Sequence, residues 1–109
     1  MYICFMDHVE IFKALSNKTR LLILQWLKDP KTHFPDQFAH NEATDTEYSG
    51  VCVGQIQQKA GLTQSTVSEY LSLLQRTGLI ESVRVGQWTY YKRNEEAFKQ
   101  LKELISTEL

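Results

Sequence analysis

Between Thr63 and Arg76 the chain reads Thr-Gln-Ser-Thr-Val-Ser-Glu-Tyr-Leu-Ser-Leu-Leu-Gln-Arg. Gln64, Ser65, Thr66, Ser68 and Glu69 gather short amide, hydroxyl and carboxylate side chains near one end of it. Such groups donate to and accept from the edges of bases in the major groove, where each base pair presents its own pattern. Arg76, and further along Arg84, Lys92 and Arg93, are cations of the kind that hold phosphate, which fixes register and makes affinity salt-dependent without reading sequence. The same residues also suit a plainer role, as the solvated side of a core helix and the charged edge of a hairpin that discourages strand aggregation.

A second set of groups is softer. Cys4, Cys52 and His8 would make a mixed metal site, or the two thiols a redox disulfide, if an N-terminal arm brought Cys4 to within about 7 Å of Cys52 between Cα atoms. Against this, Cys52 stands between Val51 and Val53 and suits a small buried apolar position. His33 and His40 read as solvated polar residues.

Helices and a hairpin must position these groups. Asp7-His-Val-Glu10 has capping-box spacing and starts a first helix with Val9, Phe12 and Leu15 on one face. Ser16 and Asn17 offer caps for a second helix over about 17–28, apolar over most of its circumference and ended by Asp29-Pro30. Residues 31–50 show no period and read as a long polar loop with isolated Phe34, Phe38 and Tyr48. A short helix from about Val53 to Ala60 ends at Gly61, and Thr63 caps a longer one that runs to about Thr77, with Val67, Leu71 and Leu74 inward and Gly78 as its stop. Leu79 to Val85 and Trp88 to Arg93 read as strands joined by Gly86-Gln87, with Trp88, Tyr90 and Tyr91 as packing residues. Asn94 then caps a final helix with Phe98, Leu101 and Ile105 in a stripe.

The chain is therefore mostly α with a small β-hairpin, a winged helix-turn-helix of about five helices and a two-stranded wing. Residues 1–109 are expected to form a single domain, with an acidic loop inserted at about 29–50. Its 109 residues, 42% hydrophobic and 23% charged, suit one unstapled core. The formal net charge is −1, short of the usual basic footprint of a nucleic-acid binder. The distribution corrects this impression. Asp29, Asp36, Glu42, Asp45 and Glu47 oppose only Lys31 within 29–50, while Lys59, Arg76, Arg84, Lys92 and Arg93 oppose Glu69 and Glu81 within 51–93. No apolar run approaches the roughly 20 residues that span a bilayer, and two cysteines make no disulfide framework, so a cytoplasmic protein is expected.

In combination, Ala14-Leu15 with Arg20-Leu-Leu-Ile-Leu24, Leu62-Thr-Gln-Ser-Thr-Val-Ser68 with Leu71 and Leu74, Gly78-Leu-Ile80, and Gly86 with Tyr90-Tyr91 resemble the ArsR family of bacterial winged-helix repressors. The resemblance spans the chain outside the 31–50 insertion. It implies a homodimer built from the first and last helices, which would place Val9, Phe12, Phe98, Leu101 and Ile105 at the interface. It also implies double-stranded DNA as partner, released by an inducer that is often a metal or thiol oxidant. Three departures stand out. Tyr70 replaces a histidine common in the family's recognition helix, and Gly54 replaces the second thiolate of a Cys-Val-Cys pair, leaving Cys52 alone; the last helix also lacks the histidines of the family's other zinc site.

No nucleophile with its base, paired carboxylates or phosphate loop is assembled, so an enzyme is not expected. No cofactor is required, no membrane partner is expected and the inducer is unknown. A winged helix used for protein docking, or a DNA binder with no effector, remain the alternatives.

Overall fold

A computed structural model describes residues 8–35 and 50–109. Helix α1, His8–Leu15, turns Ile11 and Ala14 inward; Asp7, the expected cap, lies outside the described residues. Its end is closed at Ser16, whose amide and hydroxyl both donate to the Lys13 carbonyl, at 3.1 and 2.9 Å. Helix α2, Lys18–Lys28, begins where Asn17 Oδ1 accepts from the Arg20 amide at 2.9 Å. It buries Ile23, Leu24 and Leu27 but leaves Leu21 exposed, so it is amphipathic rather than enclosed on most sides.

The expected loop begins with order. Helix α3, Pro30–His33, uses the proline where its missing N–H costs nothing. The buried Phe34 follows, edge-on to Trp26 with ring centroids 6.3 Å apart. Phe34 anchors this stretch by apolar burial, a pull that a search for periodicity does not register. Phe38, His40, Tyr48 and the acidic residues from 36 to 47 lie outside the described residues.

A further strand was also not expected. Strand β1, Val51–Cys52, precedes helix α4, Val53–Ala60, which buries Ile56 and ends at Gly61 with φ 69°. Helix α5, Gln64–Arg76, is followed by strands β2, Ile80–Val85, and β3, Trp88–Arg93, and by helix α6, Glu95–Glu108. The sheet is antiparallel in the order β1-β3-β2, with Val51 opposite Tyr91 and Cys52 opposite Tyr90. The wing thus has three strands at its base, and the described residues also include six helices. The β2–β3 turn places Gly86 at φ 63°, the conformation a two-residue hairpin demands of its first central residue. Asn94 Oδ1 accepts from the Ala97 amide at 3.3 Å and caps α6.

One core joins these elements through Ile11, Ile23, Val51, Ile56, Leu71 and Leu79, all essentially inaccessible to water. At the sheet's edge Gly50 lies so near β3 that a Cβ there would meet the Tyr91 carbonyl oxygen at 2.7 Å. Backbone held in a sheet cannot yield as a side chain does. Gly50→Ala is therefore expected to cost about 1–3 kcal/mol and to lower the melting temperature by several degrees. Gly54→Ala, whose Cβ meets nothing within 4 Å, is expected to be neutral or to stabilise by up to about 1 kcal/mol. Thermal denaturation compares the two, and equal melting would contradict the close approach at Gly50.

Candidate nucleic-acid interface

The site is built on α5. Val67, Leu71 and Leu74 are buried, so the opposite stripe, Ser65, Glu69, Ser72 and Arg76, faces water along its length. Gln64 and Ser68 are also exposed, and Thr66 is half-buried. Thr63 Oγ1 accepts from the Thr66 amide at 3.2 Å and donates to the Thr66 hydroxyl at 2.9 Å. This cap holds the first turn, where amide dipoles favour an anion. Helix α4 packs on α5 across the turn at Gly61-Leu62, which is the helix-turn-helix arrangement. Tyr70 is half-buried against the core and does not join the outer stripe.

At its other end α5 is tied into the wing. Gly78, at φ 85°, donates to the Gln75 carbonyl at 3.0 Å and Leu79 to the Leu74 carbonyl at 3.1 Å, the paired bonds of a Schellman motif. Gln75 Nε2 donates to Ser82 Oγ at 3.1 Å, so the Ser82 face of the hairpin is the one beside α5. Arg84 shares that face by strand alternation. It is exposed and bent toward the turn, with Nε donating to the Gly86 carbonyl at 3.0 Å. Lys92 lies on the other face with its Nζ 3.9 Å from Glu81, both about half exposed, a pairing weak enough to be exchanged for a phosphate.

Arg93 is placed differently. It donates from Nε and Nη2 to the two Glu95 carboxylate oxygens, each at 3.0 Å. Its guanidinium carbon lies 3.7 Å from the centre of the Phe98 ring, and its side chain is only 11% exposed. It joins β3 to α6 rather than facing outward with Arg84. Composition alone marked it as one more surface cation; the Glu95 and Phe98 spacings around the Asn94 cap are the signal that points inward.

The other expected site residues are dispersed. Val9, Phe12 and Ile105 are 56%, 36% and 47% exposed, whereas Phe98 is half-buried beneath Arg93 and Leu101 belongs to the chain's own core. Cys52 is half-buried in β1, His8 is exposed at the start of α1, and Cys4 lies outside the described residues. Among the described residues no three His, Cys, Asp or Glu side chains come together to hold a metal ion. With Gly54 in place of a second thiolate, the placed residues do not fit the metal site that the family resemblance implies. No helix of the described residues is long and apolar enough to cross a membrane.

The sequence pattern of the bacterial regulatory protein, arsR family, matches residues 49–82, from the edge of the sheet through α4 and α5 into β2. YbzH of Bacillus subtilis (strain 168), described as an HTH-type transcriptional regulator, is 52% identical over 104 residues, covering 95% of this chain and 100% of that protein. The chain belongs to the ArsR family of helix-turn-helix transcriptional regulators. This regulator is also similar to the transcriptional activator HlyU of Vibrio cholerae, 29% identical over 97 residues, 89% of this chain and 72% of HlyU. Among solved structures, the homodimeric winged helix-turn-helix DNA-binding domain Mb0332 of Mycobacterium bovis superimposes with a TM-score of 0.59 at 26% identity, over 92% of this chain and 78% of that one.

The enclosure of Arg93 has a measurable consequence for the regulator. Arg93→Lys keeps the charge but loses the two-pronged carboxylate bond and the flat contact with Phe98. It is expected to lower stability by about 1–2 kcal/mol, whereas Arg84→Lys should leave the melting temperature unchanged. Chemical denaturation of both variants decides, and an unaffected Arg93→Lys protein would contradict the assigned role.

Proposed function

We propose that the regulator binds double-stranded DNA as a homodimer and represses transcription by occupying its operator. The observation that carries this reading is the exposed polar stripe of α5, held outward by a fully buried apolar stripe and flanked by Arg84 of the wing. With α5 in the major groove, Gln64, Ser65, Thr66, Ser68 and Glu69 are the groups that meet base edges, the carboxylate of Glu69 being suited to accept from a cytosine amine. Arg76 at the far end of the helix, and Arg84 and Lys92 on the wing, neutralise phosphates and set register. Arg93 contributes by holding β3 to α6.

Dimerisation through α1 and α6 is supported by the outward apolar side chains Val9, Phe12 and Ile105 and by the homodimeric state given for Mb0332. A two-fold dimer presents two copies of α5 to half-sites about one helical turn apart. Repression needs only occupancy of a promoter by such a dimer. Of the groups named for effector sensing, Cys52 and His8 sit on separate elements and Cys4 lies outside the described residues, and the reading requires no inducer or cofactor. It places the protein with DNA, in the cytoplasm, as one domain with no catalytic role.

Fluorescence anisotropy of the reduced protein on the duplex upstream of its own gene, against a shuffled duplex across salt concentration, tests the reading. Preference for the upstream duplex by about a thousandfold or more is expected. Arg84→Ala and Lys92→Ala should each reduce the salt slope by about one, while Ser68→Ala and Glu69→Ala should each lose about 1–3 kcal/mol of discrimination. Binding without preference and without salt dependence would replace this reading with a protein-docking winged helix. In a purified transcription assay the bound dimer should lower output; a rise would make it an activator, as HlyU is described. Val9→Glu combined with Ile105→Glu is expected to give a monomer in sedimentation velocity.

A further inference from the structure

Arg20 sits in the first turn of α2 and reaches back over the end of α1. Its Nε donates to the Ala14 carbonyl at 2.7 Å and its Nη2 to the Lys13 carbonyl at 3.2 Å. These bonds fix the plane of the guanidinium, since the fork is rigid. Its central carbon lies 5.1 Å from the centre of the Tyr70 ring, within the range of a cation held on an aromatic face. One planar cation thereby spans from the last carbonyls of α1 to the middle of α5.

The position of Tyr70 gives this contact a purpose. Val67, Leu71 and Leu74 lie along one line of α5 and fix its rotation about its own axis. Leu73, half-buried against the core beside that line, widens the contact, and Tyr70 adds a support that comes from α1. Tyr70 lies off that line, between the exposed Glu69 and the buried Leu71, and its ring bears on a group anchored to α1. Helix α1 carries Val9 and Phe12, and α5 carries the groups proposed to read bases. The angle between the two helices sets how far apart the recognition helices of a two-fold dimer stand.

We propose that Arg20 and Tyr70 are positioning residues that hold α5 at a set angle to α1 and so fix the half-site spacing the dimer accepts. This rests on the DNA-binding homodimer reading. It also gives Tyr70, which departs from the residue common in the family at this place, a role that does not touch DNA.

The test is selection from a randomised duplex library by the full-length protein, followed by affinity measurements on the selected duplex and on versions with one base pair inserted or removed at its centre. The wild type should return paired half-sites at a single spacing and bind the altered duplexes more weakly. In Tyr70→Leu and Arg20→Gln that penalty should shrink by about two- to fivefold, with the salt slope unchanged and the dimer intact by sedimentation. Tyr70→Phe, which keeps the aromatic face, should retain the wild-type penalty. If Tyr70→Leu does not fold, Arg20→Gln and Tyr70→Phe carry the comparison. An unchanged penalty in Arg20→Gln, or a penalty lost in Tyr70→Phe, would overturn the proposal. A wild type that returns no preferred duplex overturns instead the DNA reading on which it stands.

Discussion

Burial of Val67, Leu71 and Leu74 is the constraint on which the rest of the molecule's use of α5 depends. Each such side chain contributes roughly 1.5–3 kcal/mol when removed from water. Together they make any other rotation of the helix costly, because it would expose this stripe and bury Ser65, Glu69 and Arg76. A polar face aimed outward is thus a consequence of packing, and it exists before any nucleic acid is present. Preorganisation of this kind reduces the ordering cost of binding.

The corners around α5 extend that control. The Schellman bonds at Gly78 and Leu79 lead directly into β2, and the Leu79 carbonyl accepts from the Asn94 amide at 3.0 Å, so the end of α5 and the start of α6 share one buried residue. Arg93 adds a link between β3 and α6 through Glu95 and Phe98. The wing is therefore braced at its base against the helix that carries the outward Ile105, while its tip, with Arg84 and the exposed Trp88, projects away from the core. A base that is held and a tip that projects suit phosphate contacts that set register.

What was legible in the amino-acid sequence was local. Asn17, Thr63 and Asn94 cap their helices by bonds to amides three residues on, and Gly61, Gly78 and Gly86 supply positive φ where helices or strands turn. The inward stripe of α5 and its outward polar stripe follow from helical spacing alone. The unread features depend on partners distant in sequence. Strand β1 exists because Val51 and Cys52 meet Tyr91 and Tyr90, and Phe34 is ordered because Trp26 and Lys59 lie against it. The inward turn of Arg93 and the Arg20–Tyr70 contact are side-chain choices that composition does not encode. Leu101, which the family resemblance would place at the dimer interface, faces the chain's own core because α6 has both a core-facing and an outward apolar edge.

The central claim is that the N-terminal half of α5 and the wing meet DNA together. Amide NMR spectra of the isotope-labelled protein, titrated with the duplex upstream of its own gene, test it residue by residue. The largest shifts are expected at Gln64 to Glu69 and at Arg84 to Trp88, with the outer residues of α6, such as Lys99 and Lys102, unmoved. Shifts centred on Lys99 and Lys102 with residues 64 to 69 unperturbed would contradict it.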